Sequence, residues 1–155
     1  MALVHRSEPQ ALTAFASAVL WIAFDVSTGP VQKITLEGTT WSVATVAGQL
    51  VSGIWSPPQL ALYAKTGRVS GFTGCNDFSA RYRRQGRGLA FQRVTYTRKG
   101  CVEPALAKTE AAFLDALRRV RFWRIDGTTL SLLNAAGRSV MTLRPVGGDG
   151  SLDTP

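Results

Sequence analysis

Residues 71–78 read Gly71-Phe72-Thr73-Gly74-Cys75-Asn76-Asp77-Phe78, and the rest of the chain arranges itself around them. Two glycines three apart mark places where the backbone takes an angle, or approaches a neighbour, that a side chain would forbid. Asn76 can close a turn through its own side chain. Phe78 and Tyr82 then return to one face at strand spacing. Just before this segment, residues 59–64 (QLALYA) and 68–72 (RVSGF) flank Lys65-Thr66-Gly67, which predicts a β-hairpin. Just after it, residues 79–83 and 88–96 continue the strand pattern across a Gly-rich turn. Segment 71–78 is thus a tight reversal inside a run of antiparallel strands.

Working outward, residues 39–46 (TTWSVATV) predict a first strand with Trp41, Val43 and Thr45 on one face. Residues 47–58 read as a loop, in which Trp55 is either a core plug or an exposed ligand surface. One helix interrupts the β pattern. Pro104 suits a first helical position, where its missing N–H has no partner in any case. Leu106, Phe113, Leu114, Leu117 and Val120 follow on one face. Arg118, Arg119 and Arg121 crowd the last turn, where cations complement the helix dipole; a solvated helix end is favoured over an anion site. Residues 121–125 and 128–133 form a hairpin across Asp126-Gly127, and residues 139–143 add a final strand. One domain is expected over residues 36–146, followed by a frayed Gly/Asp/Ser/Pro tail at 147–155.

The chain has 155 residues, 45% hydrophobic and 18% charged, which suits a single ordinary globular domain. Its net charge of +8 favours acidic partners, although the basic residues are scattered and a general solubilising role is the simpler reading. The densest group, Arg81, Arg83, Arg84 and Arg87, reads as a solvated strand end. Residues 11–24 (ALTAFASAVLWIAF) are apolar apart from Thr13 and Ser17, shorter than the roughly 20 residues of a bilayer span and without an amphipathic stripe. Residues 1–30 are therefore expected to be a signal peptide or an N-terminal membrane anchor, and the protein to be periplasmic, envelope-bound or secreted. No Cys follows the apolar run, so there is no lipid attachment at this point. The competing reading is a buried helix of the domain.

Catalytic chemistry is hard to assemble from what remains. The only histidine, His5, lies in the expected leader, which removes the usual general base and metal ligand from the domain. Two cysteines without histidine do not make a typical zinc site, and Cys75 has no partner histidine for a thiol mechanism. The carboxylates show no paired spacing, and no phosphate-binding glycine loop is present. We expect no enzyme activity and no cofactor.

Taken together, Gly71-Phe72-Thr73-Gly74-Cys75-Asn76, then Thr97-Arg98-Lys99-Gly100-Cys101, then Glu110-Ala111-Ala112-Phe113-Leu114 strongly resemble the META domain, or HslJ-like, family. The opening Leu36-Glu37-Gly38-Thr39-Thr40-Trp41 and the segments 67–71 and 130–132 join the match. Ala80 stands where the family usually has Gly, and Arg98 and Lys99 stand where it more often has Met and a small residue. The resemblance implies an α+β fold: an antiparallel β-sheet or partly closed barrel with one packed helix. The family motif falls on Gly71, Gly74, Cys75, Asn76, Phe78 and Tyr82. Members are often envelope or secreted proteins, some associated with stress, and no catalytic residues come with the family.

Cys75 and Cys101 admit three readings: a structural disulfide, a redox site activated by Arg98 and Lys99, or two buried thiols. The even count and the export segment favour the disulfide. For function, a stress-related binding or assembly factor is expected, with an unknown protein or an anionic envelope component as partner. One alternative is a nucleic-acid module using Tyr82, Phe91 and Tyr96 among the arginines; alternation turns those rings inward and makes it the less favoured one. Another is a carrier or inhibitor holding an apolar ligand between sheet and helix, suggested by Trp55 and Trp123.

Overall fold

The computed structural model describes residues 33–53 and 55–147. The expected leader and the tail beyond Gly147 lie outside the described residues. The elements are β1 (Thr40–Val46), β2 (Gln49–Leu50), β3 (Gln59–Tyr63), β4 (Arg68–Phe72), β5 (Asp77–Gln85), β6 (Gly88–Tyr96), α1 (Pro104–Arg119), β7 (Phe122–Asp126), β8 (Thr129–Leu133) and β9 (Ser139–Pro145). From β3 to β9 each strand pairs antiparallel with the next, and β1 pairs with both β3 and β9, which bends the nine-stranded sheet into a near-closed ring. β2 is a short appendage of β1. The weakest seam joins β6 to β7, which register only at Gly88 and Phe122, and α1 is inserted in the chain at this seam. The fold is the expected α+β arrangement.

Alternation explains what fills the ring. Trp41, Leu60, Leu62, Val69, Phe78 and Phe91 are among the side chains pointing inward, and the opposite faces of those strands meet water. Phe113, Leu114, Ala116 and Leu117 form the buried stripe of α1, with Val120 buried just past its end and Leu106 half-buried near its start. The helix packs against β1, β6 and β9. Phe113 meets Phe78 edge to face at 5.2 Å between ring centroids, which ties the helix to the strand that follows the Gly-Cys-Asn turn. Trp41 is fully buried, and its indole N–H donates to the Leu36 carbonyl at 3.1 Å.

Three local expectations need correcting. Thr45 does not share the inner face of Trp41 and Val43: the β1–β9 register slips between Val43 and Thr45, so a bulge at Ala44 flips the alternation and Val46 takes the inner place. Thr45 instead bonds the Thr142 hydroxyl at 2.6 Å. The β7–β8 loop is Gly127-Thr128, one residue later than expected, because Asp126 pairs with Thr129 and Gly127 supplies the positive φ of 57°. Segment 47–58 is not all loop, since Ala47 and Gly48 turn the chain with both φ angles positive and allow β2 to form.

Candidate functional site

The Gly-Cys-Asn turn is the most densely bonded polar region of the domain. Gly71 and Gly74 serve it in different ways. Gly71 lies in β4 opposite Leu60, and a Cβ there would stand 1.9 Å from the Gln59 carbonyl oxygen, so its role is close backbone approach. Gly74 has φ of 98° and makes the reversal itself. Between them the buried Thr73 binds the turn to itself. Its backbone N–H donates to the Asn76 carbonyl at 2.8 Å, and its hydroxyl oxygen accepts the Asn76 N–H at 2.8 Å. That hydroxyl donates in turn to the carboxylate of Glu110 on α1.

Asn76 is 2% exposed and spends its whole side chain across the loop. Its Oδ1 accepts the Lys99 N–H at 2.8 Å and the Thr97 hydroxyl at 2.8 Å. Its Nδ2 donates to the Lys99 carbonyl at 3.3 Å and to the Glu110 carboxylate at 3.0 Å. The turn, the segment after β6 and the helix therefore meet at one amide. No buried side-chain polar atom among the described residues lacks a partner.

This meeting puts the sulfurs side by side. Cys75 and Cys101 form a disulfide with S–S 2.06 Å and Cα–Cα 5.6 Å, closing a separation of 26 residues. The reading of two free thiols thus gives way to a bonded pair. Cys75 Sγ, Cys101 Sγ and a Glu110 carboxylate oxygen lie within 4.8 Å of one another, the closest approach to a metal-binding trio among the described residues. Both sulfurs are spent in the disulfide, which leaves one carboxylate as a donor.

The expected motif residues come together only in part. Gly71, Gly74, Cys75, Asn76 and Cys101 belong to this cluster, and Phe78 supports it from the core through Phe113. Tyr82 belongs elsewhere, further along β5. Its hydroxyl donates to Glu37 at 3.1 Å, and Glu37 also pairs with Arg84 at 2.9 Å. Burial, helped by that bond to a carboxylate, pushes the Tyr82 phenol up to about 12. Glu110, Thr73 and Thr97 lie in the segments that carry the family resemblance, but the sequence gives them no role at the site. The available signal for Glu110 was its spacing, three and four residues before the core residues Phe113 and Leu114, which sets it on the inward edge of the helix.

Two of the arginines at the helix end take structural roles. Arg119 pairs with Asp115 at 2.6 Å, and Arg121 donates to the Arg118 and Val120 carbonyls at 2.8 and 2.7 Å, capping the helix end. Tyr82 and Phe91 face the core, and of the proposed stacking rings Tyr96 alone is exposed, which removes most of the basis for the nucleic-acid reading. The space between sheet and helix is filled by Trp41, Phe113 and Leu117, and neither Trp55 nor Trp123 lies there, contrary to the carrier reading.

Beside the disulfide the surface changes character. Trp55 is fully exposed, Leu50 is 78% exposed and Val102, next to Cys101, is 95% exposed. A groove of about 330 Å³ runs between residues 50–53 and 55–56 on one side and the start of α1 on the other, lined by Leu50, Val51, Trp55, Gly74, Ala105 and Leu106 among others. The disulfide and the Asn76 bonds tie the Gly74 turn to the segment that leads into α1, on the helix side of this groove.

Comparison with known proteins agrees with this architecture. A protein solved by NMR superposes with a TM-score of 0.58 at 21% identity, over 74% of this chain and 97% of its own. An NMR structure of a Burkholderia xenovorans protein gives 0.55 at 25% identity, over 71% and 83%. A duf4847 family protein from Bacteroides vulgatus gives 0.50 at 12% identity, over 70% and 93%. No curated protein matches the sequence. The model of the META domain matches residues 34–146, a span that takes in the ring, the helix and the braced Gly-Cys-Asn turn together, and the chain belongs to the META domain family.

Proposed function

We propose that this META domain is a non-catalytic binding module of the cell envelope that engages an apolar segment of a protein partner at the groove beside the disulfide. The carrying observation is the exposure of Trp55 and Leu50 in one groove, with Val102 exposed next to Glu103 of its lining. Large apolar side chains gathered at one place on a small domain mark contact surfaces more often than isolated ones do. The polar cluster beneath them supports binding over chemistry, because Thr73, Asn76 and Glu110 spend their polar atoms on each other and on the backbone. The disulfide suits an oxidising compartment and fits a stress-exposed location, where a rigid, covalently closed binding surface is an advantage.

Photo-crosslinking in cells expressing the full chain tests this. A probe at position 55 should yield a discrete protein adduct outside the cytosol, reduced by Leu50→Ser and Val102→Ser. The same probe at exposed Arg138 should not. Identical adduct patterns from both positions, or a wholly cytosolic protein with two alkylatable cysteines, would overturn the proposal.

A further inference from the structure

A second cavity opens at the other end of β5 and β6, away from the disulfide. Its volume of about 550 Å³ falls within the roughly 300–1,000 Å³ of small-molecule sites, which favour the mouths of β-barrels. Lys33, Ile34, Arg84, Arg87, Trp123 and Arg124 supply most of the lining. Two acids sit nearby, and each is already committed. Glu37 pairs with Arg84 at 2.9 Å, and Asp126 pairs with Arg124 at 2.7 Å. Arg87 and Lys33 have no ion-pair partner among the described residues. The wall is therefore cationic after its internal pairs are counted.

The cleft also holds a fixed aromatic surface. The Trp123 indole N–H donates to the Gly86 carbonyl at 3.1 Å, which orients the ring and uses its one polar atom. Trp123 is half-buried, and Ile34 and Ile125 share the lining. The Trp123 backbone N–H donates to the Arg87 carbonyl at 3.0 Å, so the β5–β6 turn that carries Arg87 is tied to the strand that carries the ring. A guanidinium beside an anchored indole can hold an anionic head while the indole face takes a flat body. Little ordering would be left for binding to accomplish.

We infer that this cleft binds a small planar anion, an aromatic ring bearing one phosphate or carboxylate, with the ring against Trp123 and the head on Arg87 and Lys33. This site is separate from the groove beside Trp55 and does not depend on it. The test is calorimetric titration of the full chain with 1-naphthyl phosphate, 1-naphthoate, uncharged naphthalenemethanol, inorganic phosphate and a single-stranded oligonucleotide.

One or both naphthyl anions should bind, and the pair distinguishes a phosphate head from a carboxylate head. Naphthalenemethanol and inorganic phosphate should each bind at least about tenfold more weakly, since each lacks one half of the recognition. Arg87→Ala should cost roughly tenfold and Trp123→Leu a similar factor, with Arg138→Ala unchanged. Should Trp123→Leu fail to fold, the exposed Arg87→Glu and the shift of the Trp123 indole N–H resonance in the unaltered protein report on the same site. Three results would overturn the inference: neither naphthyl anion binding at about 1 mM, Arg87→Ala and Arg87→Glu leaving affinity unchanged, or an oligonucleotide binding far tighter with a steep salt dependence.

Discussion

The side-chain amide of Asn76 stands in for a strand neighbour of Lys99, accepting its N–H at 2.8 Å and donating to its carbonyl at 3.3 Å. A backbone segment that would otherwise leave the sheet is thus paired, and Cys101 arrives two residues later opposite Cys75. The disulfide is the covalent record of a contact that one buried amide arranges, and Glu110 completes it from the helix.

Glu110 should matter for hydrogen bonding more than for charge. Glu110→Gln keeps an acceptor for Asn76 and is expected to cost about 1 kcal/mol, whereas Glu110→Ala leaves one Asn76 Nδ2 proton without an acceptor, turns the Thr73 hydroxyl to the Asn76 carbonyl alone, and should cost about 2 kcal/mol. Urea unfolding of the oxidised variants, with an unchanged slope, measures both. Equal losses would show that the carboxylate bonds contribute nothing specific.

Gly71→Ala should be far more damaging than its small change suggests. The new methyl would meet backbone atoms, the Gln59 carbonyl oxygen at 1.9 Å and the Leu60 Cα at 2.8 Å, in the middle of the β3–β4 ladder. A loss of about 3 kcal/mol or more, or no folded protein, is expected. Gly100→Ala, where a Cβ meets nothing within 4 Å, should stay within about 0.5 kcal/mol. Thermal unfolding by circular dichroism compares the two.

How much of this was legible in the sequence depends on the range of each interaction. The turn at 71–78, the β3–β4 hairpin and the start of α1 at Pro104 follow from local chemistry, because φ preferences and alternation act over a few residues. The bulge at Ala44 was not legible, since it exists only against the register of β9, nearly a hundred residues away. The role of Glu110 was hidden for the same reason: its partners Thr73 and Asn76 are 37 and 34 residues distant. Trp55 was open to two readings because composition does not say which side of a loop faces water.

Tyr82 gives a pH signature. Its phenol is raised from 10.0 to about 12 in the folded chain, so between those values the folded state holds a proton that the unfolded state has lost. The stabilisation is fully present below about pH 10 and is lost as pH rises toward 12. The stability difference between the native protein and Tyr82→Phe should therefore be flat at neutral pH and shrink across that window. A difference that stays constant to pH 12 would contradict the burial of this hydroxyl.

Arg93 occupies a conformation that suits glycine. The β5–β6 register slips between Ser79 and Arg81, and Arg93 on the opposite strand has φ of 54°. Arg93→Gly should raise stability by about 0.5–1 kcal/mol, and Arg93→Val should lower it by about 1 kcal/mol. Chemical denaturation measures both, and a loss on introducing glycine would rule out strain at this position.

The bracing role of Asn76 is tested most directly by the equilibrium between the Cys75–Cys101 disulfide and a dithiol redox buffer, measured for the native chain and for Asn76→Ala. If the amide is what holds the two segments together, its removal lowers the effective concentration of one thiol toward the other. The disulfide of the variant should then be at least about tenfold easier to reduce, with circular dichroism reporting a folded oxidised state in both proteins. Identical equilibrium constants would mean that the sulfurs meet without help from Asn76.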